Sequence, residues 1–149
     1  MAGVQADVVI DMIASDDKDV QAIVGAFSKR IHRYICISTY HVYEAWEAAW
    51  KRIPSSQPVP IREDAPKRKQ LHPYGEEARF DKILVEQEAL EAHKRGDFPV
   101  TILRWPALYG PADTTPREWY YVKQALDGRE QIAVPNGGQA LFPRGYIEN

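Results

Sequence analysis

Hydrophobic and polar positions in the first forty residues follow a strand, helix, strand order. The runs "ADVVIDMIA" (6–14) and "YICIS" (34–38) are short, apolar and largely β-branched, which predicts strands buried on both faces. Ser15 is the predicted N-cap of the intervening helix, and Asp16 and Asp17 suit the positive end of its dipole. This order is the unit of a parallel α/β sheet. The predicted buried face of the helix consists of Val20, Ile23, Val24, Phe27 and Ile31.

Two further helices and a long connection follow. "EAWEAAWKRI" (44–53) places Trp46, Trp50 and Ile53 on one face of a short helix. Residues 54–73 are Pro-rich and charged, and a connection of this length often serves as a lid or a binding loop. The next helix is predicted from near Tyr74 to Gly96, a good C′ residue. Its predicted apolar face consists of Phe80, Ile83, Leu84 and Leu90.

The last third of the chain predicts one strand, one helix and a hairpin. "FPVTILRW" (98–105) is the third clear strand. "TPREW" (115–119) reads as a helix start, with Thr115 as N-cap and Pro116 and Glu118 in the first turn, and Gly128 ends that helix. Its predicted buried stripe consists of Trp119, Val122 and Leu126. "QIAVPNGGQALF" predicts two short strands around Asn136-Gly137. We therefore predict an α/β fold, a parallel sheet of at least three strands flanked by helices.

The composition is that of a folded protein. Hydrophobic residues make up 44% and charged residues 27% of the 149 positions, which argues against disorder. The net charge of −2 creates no field that would attract nucleic acid, and no apolar run approaches the roughly 20 residues that span a bilayer. The first residues lack the pattern of a signal peptide. We predict a cytoplasmic protein that binds neither nucleic acid nor a membrane.

Cysteine and histidine point to no special chemistry. Cys36 is the only cysteine, so no intramolecular disulfide can form, and its apolar neighbours predict a small core residue. The four histidines lack the spacing of metal ligands. We therefore predict no metal site.

Four local patterns occur in the order of one known family. "VVIDMIA" (8–14) ends a strand, and "ICISTYHVY" (35–43) carries a Ser or Thr four residues before a Tyr. "HPYG" (72–75), followed by a Lys and "LVEQ" (84–87), is similar to a helix with a catalytic Tyr and Lys. "ILRWPALYGP" (102–111) is similar to the next strand and its substrate-side loop. With these motifs the chain resembles the NAD-dependent epimerase/dehydratase family, the extended short-chain dehydrogenases/reductases.

The resemblance implies a single Rossmann-like NAD(P)-binding domain over residues 1–149, and an incomplete one. The family's G-x-x-G-x-x-G turn, which holds the pyrophosphate of the cofactor, is absent from the sequence, and the chain stops soon after "GYIEN". The implied cofactor is NAD or NADP. The implied substrate is a sugar nucleotide, oxidised and reduced at a sugar carbon through a keto intermediate, which is isomerase or oxidoreductase chemistry.

The resemblance also implies the site residues. Thr39 would donate a hydrogen bond to the reacting oxygen, Tyr74 would be the acid/base, and Lys82 would lower the pKa of the Tyr and bind the nicotinamide ribose. Each also has a structural interpretation. Thr39 can simply end a strand, Tyr74 can pack at a helix start, and Lys82 can be a solvated cation paired with Glu86. The implied cofactor contacts are Ile13, Lys82, Trp105 and Pro106.

The spacing of Tyr74 and Lys82 departs from the family pattern. Seven residues separate them, where the family has three. Eight steps along a helix advance about 12 Å, so the two groups cannot meet if the helix begins at Tyr74. They could meet if residues 75–78 loop out. Counting back from Lys82 in the family spacing gives Ala78, which cannot transfer a proton.

Two functions follow from these observations. The first is an NAD(P)-dependent epimerase/dehydratase that is weak or inactive as this chain, so the sequence leaves enzymatic activity open. The second is a non-catalytic module that associates with itself or with a protein partner. Residues 7–13 would form an exposed sheet edge, and such edges recruit further strands. We expect a homo-oligomer, and the resemblance implies dimerisation through the helices of residues 16–30 and 74–95.

Overall fold

The α/β fold predicted from the sequence is confirmed. A computed structural model describes residues 5–96, 98–115, 117–134 and 142–149. Two compact units, Met1–Trp105 and Pro106–Asn149, make up the chain. Whether the chain is one incomplete domain stays a prediction. The helices and strands of the first unit are β1 (Val8–Asp11), α1 (Asp17–Phe27), β2 (Arg33–Thr39), α2 (Glu44–Lys51), α3 (Lys82–Lys94) and β3 (Val100–Trp105).

The first unit contains a three-stranded parallel sheet in the order β1-β2-β3. β2 is central, so β1 is an edge strand of the described sheet, as predicted. In the register of the sheet, Asp11 lies opposite Cys36, and Cys36 lies opposite Ile102. Because the three strands are parallel, their carboxyl ends lie at one edge, where open α/β sheets bind ligands.

One face of the sheet carries the core. Side chains alternate along a strand, so Tyr34 and Cys36 of β2 point to the same face, and both are fully buried. They pack in one cluster with residues of α1 and α3. The prediction that Cys36 is a core residue is confirmed. The other face is open at β1, where Val8 and Ile10 are 46% and 61% exposed.

The N-terminal ends of α1 and α3 differ from the prediction. The N-cap of α1 is Asp16, not Ser15, and it forms a capping box with Asp19. α3 begins at Lys82 rather than near Tyr74, because Asp81 is its N-cap and Arg79 has a left-handed backbone that interrupts a helical path. The predicted end of α3 is confirmed by Gly96, whose φ of 87° suits glycine.

The predicted apolar faces of α2 and α3 are buried only in part. Of the three residues on the predicted face of α2, only Trp46 is buried, whereas Trp50 and Ile53 are 64% and 55% exposed. The helix ends at Lys51, so only two turns face the protein. In α3, Leu90 is 37% exposed, because the helix turns a different face to the core. The buried apolar residues of α3 are Ile83, Val85, Ala89 and Ala92.

The second unit is a small parallel sheet with one helix. β4 (Ala107–Tyr109) pairs with β5 (Arg144–Tyr146), and α4 runs from Trp119 to Leu126. Thr115 is not the N-cap of α4, because that position is Glu118 and its side chain caps nothing. The predicted stripe is exposed, because two short strands offer little surface to cover a helix. Exposed fractions are 51% for Trp119, 45% for Val122 and 72% for Leu126.

Two predictions for the last part of the chain have different outcomes. The end of α4 is confirmed at Gly128, which has a φ of 69°. The predicted turn at Asn136-Gly137 and most of its hairpin lie outside the described residues.

Candidate active site

Lys82 lies at the carboxyl edge of the sheet, where the first turn of α3 meets the ends of β1 and β2. Its Nζ donates to the backbone oxygens of Ala14 at 2.5 Å and of Ile37 at 2.9 Å. Burial lowers the pKa of this ammonium below its ordinary value of 10.5. An ammonium has three N–H donors, so one remains beyond the two carbonyls. Because Lys82 is only 8% exposed, its interpretation as a solvated cation is wrong.

Asp81 explains why α3 begins at Lys82. Its Oδ1 accepts the Ile83 N–H at 2.9 Å, and its Oδ2 accepts the His72 N–H at 2.7 Å. The carboxylate is fully buried and forms an ion pair with the equally buried guanidinium of Arg68. This pair ties the long connection to the start of α3. Arg68 is therefore a structural cation of this connection.

Tyr74 is directed to a histidine and not to Lys82. Its hydroxyl lies 3.1 Å from His41 Nδ1, and its ring contacts Trp46 and Phe80. Burial, with a smaller contribution from Tyr40, raises the pKa of the phenol above its ordinary value of 10.0. An acid/base that works near neutral pH requires the opposite shift. Residues 75–78 do leave the helix, but Tyr74 makes no hydrogen bond with Lys82 in the described structure.

Thr39 and Trp105 are brought together by the sheet. They are the last residues of β2 and β3, and they lie opposite each other in the parallel register. Thr39 also caps a short 3-10 turn at Tyr40–Val42, where its Oγ1 accepts the His41 N–H at 3.4 Å. Thr39 thus ends a strand, which agrees with the interpretation of it as a structural residue. It also lies at the carboxyl edge of the sheet, where a residue that donates to the substrate would have to lie.

Glu86 organises a buried polar network that the sequence interpretation missed. It is fully buried and accepts Ser38 Oγ at 2.6 Å. Arg104 donates to both of its oxygens at 2.8 Å, and the Lys67 ammonium lies 2.6 Å away. Burial alone would raise the pKa of Glu86, but the bonds with Arg104, Lys67 and Ser38 lower it below 4.5. The sequence did contain a signal for this network, namely a charged residue inside each of two apolar runs. These residues are Glu86 in "LVEQ" and Arg104 in "TILRW".

The residues around Ile13 are unfavourable for binding a phosphate group. Ile13 is 89% exposed in the connection from β1 to α1, and its N–H donates to Asp11 Oδ1 at 3.0 Å. The start of α1 carries Asp16, Asp17 and Asp19, and the first and last of these cap the helix. Carboxylates already occupy the donors that would bind a pyrophosphate and would repel it. This connection does not fit the phosphates of a dinucleotide, whereas Lys82 retains a donor for a ribose hydroxyl.

Pro106 begins the second unit, directly after Trp105 in the chain. Within that unit its ring lies against Gly145, where an added Cβ would come within 3.0 Å of the ring. Pro106 therefore packs against β5. The structure gives it no contact that would identify a cofactor.

The parallel sheet, with Thr39 and Lys82 at its carboxyl edge, defines a Rossmann-like α/β protein. The chain belongs to the NAD dependent epimerase/dehydratase family, whose model matches residues 7–149. The resemblance drawn from the sequence motifs is thereby confirmed. No curated protein matches the chain. No solved structure matches it either. Membership supports a nicotinamide cofactor for the family in general.

Two further properties concern only the part of the chain that the structure describes. None of its helices is both long and apolar enough to cross a membrane. No group of three or more His, Cys, Asp or Glu side chains within it is arranged to hold a metal ion.

Proposed function

We propose that the chain binds a nicotinamide cofactor, NAD or NADP, through Lys82 and is related to enzymes that oxidise and reduce a sugar carbon of a nucleotide sugar. The observation that supports cofactor binding is the placement of Lys82, whose ammonium donates to the backbone oxygens of Ala14, after β1, and Ile37, in β2, and keeps one N–H donor. Thr39 at the same edge would donate to the reacting oxygen of the sugar. When bound, the cofactor would supply the hydride acceptor.

We further propose that catalysis by this chain alone is weak or absent. The acid/base would have to be Tyr74, but its hydroxyl contacts His41 and burial holds its pKa up. Two of the three Lys82 N–H donors bind Ala14 and Ile37, and the third makes no hydrogen bond with Tyr74 in the described structure. Proton transfer at neutral pH therefore lacks the close Tyr–Lys pair that would assist it. We also propose that any residual activity is of the isomerase or oxidoreductase class, and that the protein is cytoplasmic.

Calorimetric titration with NADH and with NAD⁺ tests the cofactor proposal. We expect binding that weakens at least about tenfold in Lys82→Met, since a hydrogen bond from a charged group contributes about 1.5–3 kcal/mol. Lys94→Met is the matched control, because Lys94 is exposed at the other end of the same helix. Absence of binding at millimolar cofactor, in protein folded by circular dichroism, would contradict the proposal. Equal binding by Lys82→Met would contradict the role of Lys82.

The open edge of the sheet favours a second candidate function, self-association as a binding module. β1 is an edge strand, and several of its apolar residues face solvent. Parallel sheets are normally covered on both faces, and exposed edges pair with other strands. The exposed apolar residues of this edge are Val8 at 46%, Ile10 at 61%, Met12 at 59% and Ile13 at 89%.

Sedimentation velocity over a concentration series tests self-association. We expect a dimer or larger species that dissociates in Ile10→Lys, since a charge on the edge strand opposes strand addition. Val59→Lys is the control, because Val59 is an exposed apolar residue of the long connection, at 74%. A wild-type monomer at all concentrations would contradict this candidate.

A further inference from the structure

Two adjoining cavities flank α2, and together we name them the α2 cleft. The larger has a volume of about 700 Å³ and lies between α2 and the beginning and end of the long connection. The smaller has a volume of about 190 Å³ and lies beside two indoles. Both are lined by Glu47, Lys51 and Gln70, which therefore form the boundary between them. The larger volume falls within the roughly 300–1,000 Å³ of small-molecule sites.

The smaller cavity contains an aromatic platform. Trp46 stacks on His41 with ring centroids 4.5 Å apart, and Trp50 stacks on Trp46 at 5.6 Å. The stack fixes the orientation of Trp50, yet this indole is 64% exposed. One of its faces therefore remains available to a ligand. A large, oriented aromatic surface beside a cavity is a typical anchor for the apolar face of a ligand.

The larger cavity has a mixed lining of apolar surface and charged side chains, and those charges cancel. Glu44 and Glu47 balance Lys51 and Lys69 along its wall. The Gln70 side-chain amide, common to both cavities, makes no hydrogen bond with the described residues. Such a lining offers both donors and acceptors, but no concentration of positive charge that would select a phosphate.

An unsatisfied acceptor lies next to this cavity. Gln57 Oε1 is buried and has no hydrogen-bond partner among the described residues, while its Nε2 donates to Glu44 Oε2 at 3.2 Å and its backbone N–H to Ser55 Oγ at 3.2 Å. Glu44 and Ser55 both line the cavity. A buried acceptor without a partner is costly, so a donor from a bound molecule would be favourable there.

We propose that the α2 cleft binds a neutral carbohydrate, with a pyranose ring stacked on Trp50 and its hydroxyl groups hydrogen-bonded to Gln70, Glu47 and Lys51. A pyranose has an apolar face for the indole and a rim of hydroxyls that both donate and accept. This matches an aromatic platform beside a cavity on whose wall two carboxylates balance two ammonium groups. The site is separate from Lys82 and does not depend on cofactor binding.

Nuclear magnetic resonance of the indole N–H groups tests this proposal directly. The chain has four tryptophans, so their signals can be assigned by single substitutions. The probes are methyl α-glucopyranoside, methyl α-galactopyranoside and methyl α-mannopyranoside, with glycerol and uridine diphosphate as controls. We expect at least one glycoside to shift the Trp50 signal with a dissociation constant in the millimolar range, while glycerol does not.

Variants establish that the cleft is the site. Trp50→Ala should weaken glycoside binding at least about tenfold, as expected when an aromatic anchor is truncated. Gln70→Ala should weaken it less. Trp119→Ala is the matched control, because Trp119 is similarly exposed, at 51%, but does not line the cleft, and it should leave binding unchanged.

Three results would overturn the proposal. The first is no shift with any glycoside at saturating concentration, in a chain whose circular dichroism is that of a folded protein. The second is equal binding by wild type and Trp50→Ala. The third is a response to uridine diphosphate alone, which would identify the cleft as a nucleotide site. None of these outcomes depends on whether NADH binds, so failure here is distinct from failure of the proposed function.

Discussion

Replacement of Glu86 by Gln removes the one buried carboxylate that joins α3, β2, β3 and the long connection. The wild-type side chain accepts hydrogen bonds from Ser38 and from Arg104, and pairs with Lys67. Gln keeps the shape, but it removes the charge and replaces one acceptor by a donor that faces other donors. The two cations would keep their places in the network without the charge that balances them.

The expected loss is a large fraction of the total stability. Removing one partner of a buried ion pair costs about 3–5 kcal/mol, and a typical domain unfolds with about 5–15 kcal/mol. With a urea m value of about 2 kcal/mol/M, the unfolding midpoint of Glu86→Gln should fall by about 1.5–2.5 M. Arg104 is 18% exposed at its side chain, which places the expected value toward the lower end.

Urea unfolding followed by circular dichroism measures this loss. Glu88→Gln is the matched control on the same helix, because Glu88 is partly exposed and its partners, Gln21 at 3.2 Å and Arg95 at 3.7 Å, lie at the surface. It should cost about 0–1 kcal/mol. A loss below about 1 kcal/mol for Glu86→Gln would refute the argument, because the network would then contribute no more than a surface pair.

Three further predictions concern Glu86 and two other buried groups. The lowered pKa of Glu86 means that the unfolded state binds its proton more readily, so the stability it contributes is complete above pH 4.5 and is lost as the pH falls below that value. Urea unfolding across this range should show the loss in wild type and less of it in Glu86→Gln. Arg68→Met should cost about 3–5 kcal/mol in urea unfolding, because Asp81 stays buried without its cation; an equal cost for the exposed Lys69→Met would contradict this. Burial raises the pKa of the Cys36 thiol to about 11, so an aromatic disulfide reagent should label it only when the protein unfolds, and rapid labelling of native protein would contradict its burial.

The parts of the fold that the sequence predicted correctly are those with strong local patterns. β2 and β3 are centred on short apolar runs, and α1 has a regular apolar face that buries Val20 and Phe27. Gly96 and Gly128 mark helix ends because their backbones have positive φ, which few other residues adopt at low cost. These features depend on neighbouring residues alone.

The parts that the sequence did not predict depend on distant contacts. The start of α3 is determined by Asp81, which binds Arg68 and His72 from the long connection, although its N-cap position was visible as an Asp before an apolar run. The exposure of Trp50 depends on what else reaches α2 and not on its helical position. The pairing of Glu86 with Arg104 joins two elements 18 positions apart in the chain. Hydrophobic spacing carries no information about such pairs.

The central claim is that Tyr74 and Lys82 do not form a working acid/base pair, and the ionisation of Tyr74 tests it most directly. Carbon-13 resonances of labelled tyrosine, assigned among the eight tyrosines by Tyr74→Phe, report this ionisation. The pKa of Tyr74 should lie above 10.0, because burial is not offset by a nearby ammonium. Ionisation below 10.0 that moves upward in Lys82→Met would contradict it and would show that the two side chains meet in solution.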